Sequence, residues 1–155
     1  MDKSFKDLPH FQAGNVRYHI TSSTVDGFVL CDVARQIVLD SIAFLDEKKY
    51  YLYAACVMPD HIHVLIRPMR DEKGDFFMLD SIMHSIKSFT AHEINKHLNR
   101  KGQVWLKDYR DRIIRSDKDK ENVRRYIRLN PVEAGLVEKW SDYPFLCFRG
   151  GEHQN

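Results

Sequence analysis

Cysteine is scarce in this chain: Cys31, Cys56 and Cys147 are the only three in 155 residues, and they lie far apart. An odd number with no C-x-x-C pair argues against a disulfide framework and a zinc ribbon. Small buried hydrophobes are the expected role, Cys56 above all because it sits in an apolar run. No apolar stretch approaches the length needed to cross a bilayer. The opening residues, MDKSFKDLPHFQ, are polar and lack the apolar core of a secretory leader, so cytoplasmic residence is expected. Internal repeats and low-complexity segments are also missing, and 155 residues suit one domain, 1–155, around one core.

What is present is an ordinary globular balance, 43% hydrophobic and 30% charged. The net charge of +2 conceals an asymmetry. Residues 87–130 hold 13 Lys and Arg against 6 Asp and Glu, whereas 1–86 hold 9 against 12 and 131–155 hold 2 against 4. A basic block inside a nearly neutral chain points to a local polyanion site, although a solvated helix face would read the same way.

Hydrophobic periodicity orders the elements. In Asn15 to Thr24, Val16, Tyr18 and Ile20 alternate as on a strand, and Asp26-Gly27 signals a turn. Val33, Ile37, Ile42 and Leu45 follow at helical spacing, with Asp32 as N-cap. Tyr50 to Met58 and His61 to Arg67 read as two strands broken by Pro59-Asp60, close enough to form an antiparallel hairpin. After a polar loop, Leu79 to Ile94 mark a long helix ending before Asn99. Arg112 to Arg115 is a short strand. Ser116 to Asp119 then resembles a capping box, opening a helix expected to stop near Leu129 because Pro131 disfavours helical geometry at Asn130. The tail from Ser141 reads as irregular. The order predicts an α+β fold, a ferredoxin-like βαββαβ sandwich with an antiparallel sheet and an added C-terminal helix.

Two pairs of residues could carry chemistry. His61 and His63 are two apart on a strand, so their imidazoles share a face while Ile62, Val64 and Ile66 point into a core. Convergent neutral imidazoles form half of a divalent-metal site. Tyr126 and Asn130 are four apart on a helix and share a face there. If that face packs over the hairpin, Asn130 could add an oxygen ligand and Tyr126 would lie beside the metal. Two imidazoles, an amide oxygen and open positions suit Mg²⁺ or Mn²⁺ bound together with a phosphate. A phenol is a weak nucleophile at neutral pH, which a metal on the attacked phosphate would offset by making phosphorus more electrophilic. Attack would leave a phosphotyrosine and a free sugar hydroxyl, conserving the bond energy for rejoining. Arg124, Arg125 and Arg128 flank the tyrosine, and Lys87, Arg110, Arg112 and Arg115 are further candidate phosphate contacts.

At these residues the chain resembles the HUH single-tyrosine transposases, and within them the REP-associated tyrosine transposases. VMPDHIHVLI at 57–66 is similar to the family's His-hydrophobic-His strand, and RRYIRLNPVEAGLV at 124–137 to its tyrosine helix. LPHFQAG at 8–14, MHSIKSFTAHEIN at 83–95 and VWLKDYRDRIIRS at 104–116 fit as well. The resemblance implies that His61 and His63 bind Mg²⁺ or Mn²⁺, that Asn130 completes the site and that Tyr126 is the nucleophile. It implies cleavage and rejoining of single-stranded DNA, often near hairpins of palindromic repeats, through a 5′-phosphotyrosine link. Insertion-sequence relatives work as dimers that exchange tyrosine helices, whereas the REP-associated branch admits monomers, so both states stay open.

Leu106 follows Trp105 where many relatives carry Gln. Tyr109, His84 and His92 are expected to pack or to touch DNA, and His10 and His19 have no assigned role. A non-catalytic ferredoxin-like nucleic-acid-binding module and a metal-dependent nuclease using water remain as alternatives.

Overall fold

The computed structural model describes residues 16–149; the LPHFQAG segment, His10 and Asn15 lie outside them. In chain order the elements are β1 (Arg17–Ser23), α1 (Asp32–Phe44), β2 (Tyr50–Val57), β3 (His61–Pro68), α2 (Leu79–Leu98), β4 (Arg110–Ile114), α3 (Asp117–Glu133) and β5 (Leu146–Phe148). Single 3-10 turns occupy Val25–Gly27 and Trp140–Asp142. The strands form one antiparallel sheet in the order β4-β1-β3-β2-β5. The α+β class and the antiparallel sheet are as expected, with three helices and, beyond the strands predicted from sequence, a fifth strand.

Strand alternation gives this sheet two unlike faces. On β1, Tyr18, Ile20 and Ser22 are buried, and they lie opposite Ile66, Val64 and Ile62 of β3. Leu52, Ala55 and Val57 of β2 continue that apolar face. Helices α1 and α2 pack against each other and share one core with it, through Ala34, Val38, Ile42, Ile82, Met83 and Ile86. Burying each of the Val, Ile and Met side chains among these contributes roughly 1.5–3 kcal/mol. The opposite face carries His19 and Thr21 of β1 and His61 and His63 of β3, and α3 crosses it on the β2 and β5 side.

Helix α3 begins as its sequence predicts. Ser116 is the N-cap, its hydroxyl accepting the Asp119 backbone N–H at 3.0 Å. It does not stop at Leu129. Pro131 lies inside the helix, which continues to Glu133. Pro131 falls in the last turn, so its missing N–H costs one intrahelical bond, and its ring is buried. The actual stop is Gly135, which takes φ +77°. Its N–H donates to Val132 O at 2.9 Å while the Leu136 N–H donates to Pro131 O at 2.9 Å, the two bonds of a Schellman motif.

Other boundaries also differ from expectation. Asp32 is the first helical residue and not the cap; Cys31 holds that position without a side-chain bond, and Asp32 instead accepts from Arg35 at 2.8 Å. Cys31 is exposed, so of the three thiols only Cys56 is fully buried. The tail contributes a strand: Leu146–Phe148 pairs with Cys56–Ala54 of β2 and closes that edge of the sheet.

Candidate active site

The alternation of β3 does what the spacing requires. His61 and His63 stand on one face with ring centroids 4.9 Å apart and ring planes nearly perpendicular. His61 sits at the start of the strand, and its Nδ1 lies 2.8 Å from Asp60 Oδ1. His63 is deeper, 5% exposed. Its Nδ1 lies 3.1 Å from His19 Nε2 and 3.2 Å from Thr21 Oγ1. Burial, then the neighbouring His19 and His61, lower the His63 pKa to about 3. Burial, followed by the positive charge of Arg112, lowers that of His19 to about 4. Both rings are therefore neutral at pH 7, the form in which imidazole donates a lone pair to a metal.

Helix α3 brings Tyr126 onto this face. Its ring meets His63 edge-on at 5.4 Å between centroids and His19 at 6.0 Å, and its side chain is 53% exposed. An aromatic half in solvent above a polar pair is poorly explained as core packing. Asn130 stands one turn further along α3, half-buried. Its carboxamide makes no hydrogen bond to either histidine.

A divalent cation fits this donor set. Asp60 occupies Nδ1 of His61, and His19 with Thr21 occupies Nδ1 of His63, which leaves Nε2 of both rings as the candidate ligand atoms. Among the described residues no group of three or more His, Cys, Asp and Glu side chains could hold a metal ion. A third protein ligand would thus be of another type, and the Asn130 carboxamide shares the Tyr126 face of α3.

The seven candidate cations divide into two groups. Arg110 and Arg112 are exposed on β4, paired in register with Thr21 and His19 beside the histidines. Arg112 also donates to Asp119 at 3.1 Å. Arg115 and Arg125 are exposed as well. Arg124 is different: it is 6% exposed, donates to Glu121 Oε1 at 2.7 Å and to the Arg149 carbonyl, and lies over the Phe148 ring. That geometry makes it a packing residue holding α3 to β5, contrary to the expectation of a phosphate contact. Arg128 is half-buried against Trp140 and Phe148. Lys87 lies away from the histidines, donating to the Lys107 carbonyl at 2.8 Å, with its pKa lowered chiefly by burial.

The flanking motif residues are largely structural. Trp105 is buried and its indole N–H donates to Thr90 Oγ1 at 2.9 Å. Tyr109 donates to Asp80 at 2.5 Å. His84 and His92 are exposed on α2. His19, Thr21 and Asp60 were not anticipated. The alternation of Tyr18 and Ile20 against His19 and Thr21 was the available signal, but its meaning depends on β1 pairing with β3 in this register.

The family model described as Transposase IS200 like matches residues 15–130. A Haemophilus influenzae protein named as a REP-associated tyrosine transposase is 31% identical over 100 residues, covering 61% of this chain and 57% of the relative. The REP-associated tyrosine transposase of Escherichia coli K12 is 28% identical over 102 residues, covering 66% and 56%. The chain thus matches a little over half the length of these curated relatives. Among solved structures, a REP-associated tyrosine transposase bound to a REP hairpin superimposes with TM-score 0.71 at 20% identity, covering 99% of this chain and 84% of that one. A Deinococcus radiodurans structure described as a transposase gives TM-score 0.50 at 21% identity, covering 82% and 95%.

Proposed function

This chain belongs to the IS200-like transposase family, and from that premise we propose that it cleaves and rejoins single-stranded DNA with Tyr126 as nucleophile. The observation that carries the reading is the approach of the half-exposed Tyr126 ring to His63 within one chain, 5.4 Å between centroids. A residue of the core would not need to stand open to solvent over the imidazoles of His19 and His63.

In this reading His61 and His63 hold a divalent cation, Mg²⁺ or Mn²⁺, with the Asn130 carboxamide as an oxygen ligand. The cation would withdraw charge from the scissile phosphate and stabilise the charge that develops on it. The Tyr126 Oη attacks phosphorus and loses its proton to solvent. The bond from phosphorus to the 3′ oxygen breaks and that oxygen takes up a proton from solvent, leaving a 5′-phosphotyrosine and a free 3′ hydroxyl. Attack by a 3′ hydroxyl on the phosphotyrosine reverses the step and joins strands. Arg110, Arg112, Arg115 and Arg125 line the approach as phosphate contacts. The substrate is a hairpin with a single-stranded flank, a reading supported by the REP hairpin bound to the structural neighbour. The approach of Tyr126 to the histidines of its own chain supports cleavage by a monomer.

The test uses a labelled single-stranded hairpin oligonucleotide with Mn²⁺. The wild type is expected to form a covalent protein–DNA adduct that survives denaturing electrophoresis, and Tyr126→Phe none. An adduct that persists in Tyr126→Phe would end the assignment. Multiple turnover without any adduct would establish a water nucleophile instead. Mixing Tyr126→Phe with His63→Ala should restore no activity, since a tyrosine acting across a dimer would complement.

A further inference from the structure

We infer that His19 is a positioning residue, which holds the proton of His63 on Nδ1 and so keeps His63 Nε2 bare toward the metal position; this rests on the two-histidine reading above. A neutral imidazole carries one N–H, and its second partner decides which nitrogen has it. For His63 to ligate through Nε2 the proton must sit on Nδ1. The groups facing Nδ1 are His19 Nε2 at 3.1 Å and Thr21 Oγ1 at 3.2 Å. His19 Nε2 must then be an acceptor, which places the His19 proton on its own Nδ1. The Thr21 hydroxyl rotates and can accept from an Nδ1–H or donate to a bare Nδ1, so it does not discriminate. His19 is the partner whose tautomer is tied to that of His63.

The placement of His19 favours this role. It stands on β1, an interior strand paired with β3 on one side and β4 on the other, so its backbone is fixed across two ladders. Its ring is tilted 37° to that of His63 at 5.2 Å and also borders Tyr126. The two histidines of β3 are thus oriented by different means. His61 leans on the carboxylate of Asp60 and His63 on a third imidazole.

Two measurements on the full chain without DNA test this. In metal-free wild type, long-range ¹H–¹⁵N spectra should show His63 as the Nδ1–H tautomer; finding the Nε2–H tautomer would overturn the inference without any variant. Titration with Mn²⁺, followed by the electron paramagnetic resonance of the free ion, should show His19→Leu binding about 10–100-fold more weakly than wild type. His19→Gln, whose amide oxygen can accept the same proton, should recover most of that loss, which a merely space-filling role would not predict. Wild-type affinity in His19→Leu would remove His19 from the site. If instead His61→Ala binds Mn²⁺ as the wild type does, the two-histidine centre itself fails, and the role of His19 with it.

Discussion

The two faces of the sheet are built from the same strands and serve opposite ends. Toward α1 and α2, β1 and β3 present Tyr18, Ile20, Ile62, Val64 and Ile66, all essentially inaccessible. Toward α3 the same strands present His19, Thr21, His61 and His63. The first face is a source of stability. The second costs stability, because neutral imidazoles are held where water would otherwise hydrate and protonate them. The difference teaches where each kind of substitution should register: in unfolding on one side, in chemistry on the other.

Neighbouring substitutions on β3 separate the faces most sharply. Ile62→Ala should lower unfolding free energy by about 2–5 kcal/mol in urea titration, through lost burial and the cavity left behind. Adduct formation should survive at temperatures where the variant stays folded. His63→Leu should change stability less than Ile62→Ala does, yet lose at least about a hundredfold in cleavage rate, since several kcal/mol of charge stabilisation would go with the cation. Equal loss of stability in both variants would dissolve the contrast.

Between pH 7.5 and 5, acid should act chiefly on the polar face. His19 and His63 have folded pKa values lowered to about 4 and about 3, against 6.5 for an ordinary histidine. The unfolded chain therefore binds these protons first. Their stability is full above pH 6.5 and falls as pH drops toward 4. The slope is at most about 3 kcal/mol per pH unit, since at most two protons are involved at about 1.4 kcal/mol each. Thermal melts of metal-free protein between pH 7.5 and 5 should show the decline, and a His19→Gln, His63→Gln double variant should flatten it. An unchanged slope would mean that these rings are hydrated in solution.

The smallest expected effect concerns the end of the helix that covers the polar face. Gly135 has φ +77° with nothing near the position a Cβ would take. Gly135→Ala should thus cost only the conformational penalty, about 1 kcal/mol, in thermal melts. A larger loss would mean that α3 itself had come away from the sheet.

Much of this was legible because it depended on local patterns. The alternation in HIHVLIR placed His61 and His63 together, and the Ser116–Asp119 cap started α3 where it begins. What was not legible depended on distant partners. Leu146–Phe148 is a strand only because β2 lies beside it, ninety residues earlier in the chain. Arg124 lies among charged neighbours in sequence, and nothing local says that its guanidinium will cover Phe148. His19 became part of the site through the β1–β3 register, a property of two strands and not of one. Pro131 misled for another reason: a proline stops a helix in its middle, but in the last turn it removes one bond and leaves the stop to Gly135.

The anchoring of α3 has a mechanical consequence. The helix is held by β2, β3, β5 and the turn at Trp140–Asp142, with Lys120 over Tyr53 and Arg124 and Arg128 over Phe148. The histidines sit on β1 and β3, clamped by strands on either side. A DNA strand joined to Tyr126 would pull along α3, which would spread the tension over β2, β3, β5 and that turn instead of concentrating it on the strand that carries His61 and His63. The tether shares its mounting among several strands, so the cutting edge carries only part of any pull on the cargo.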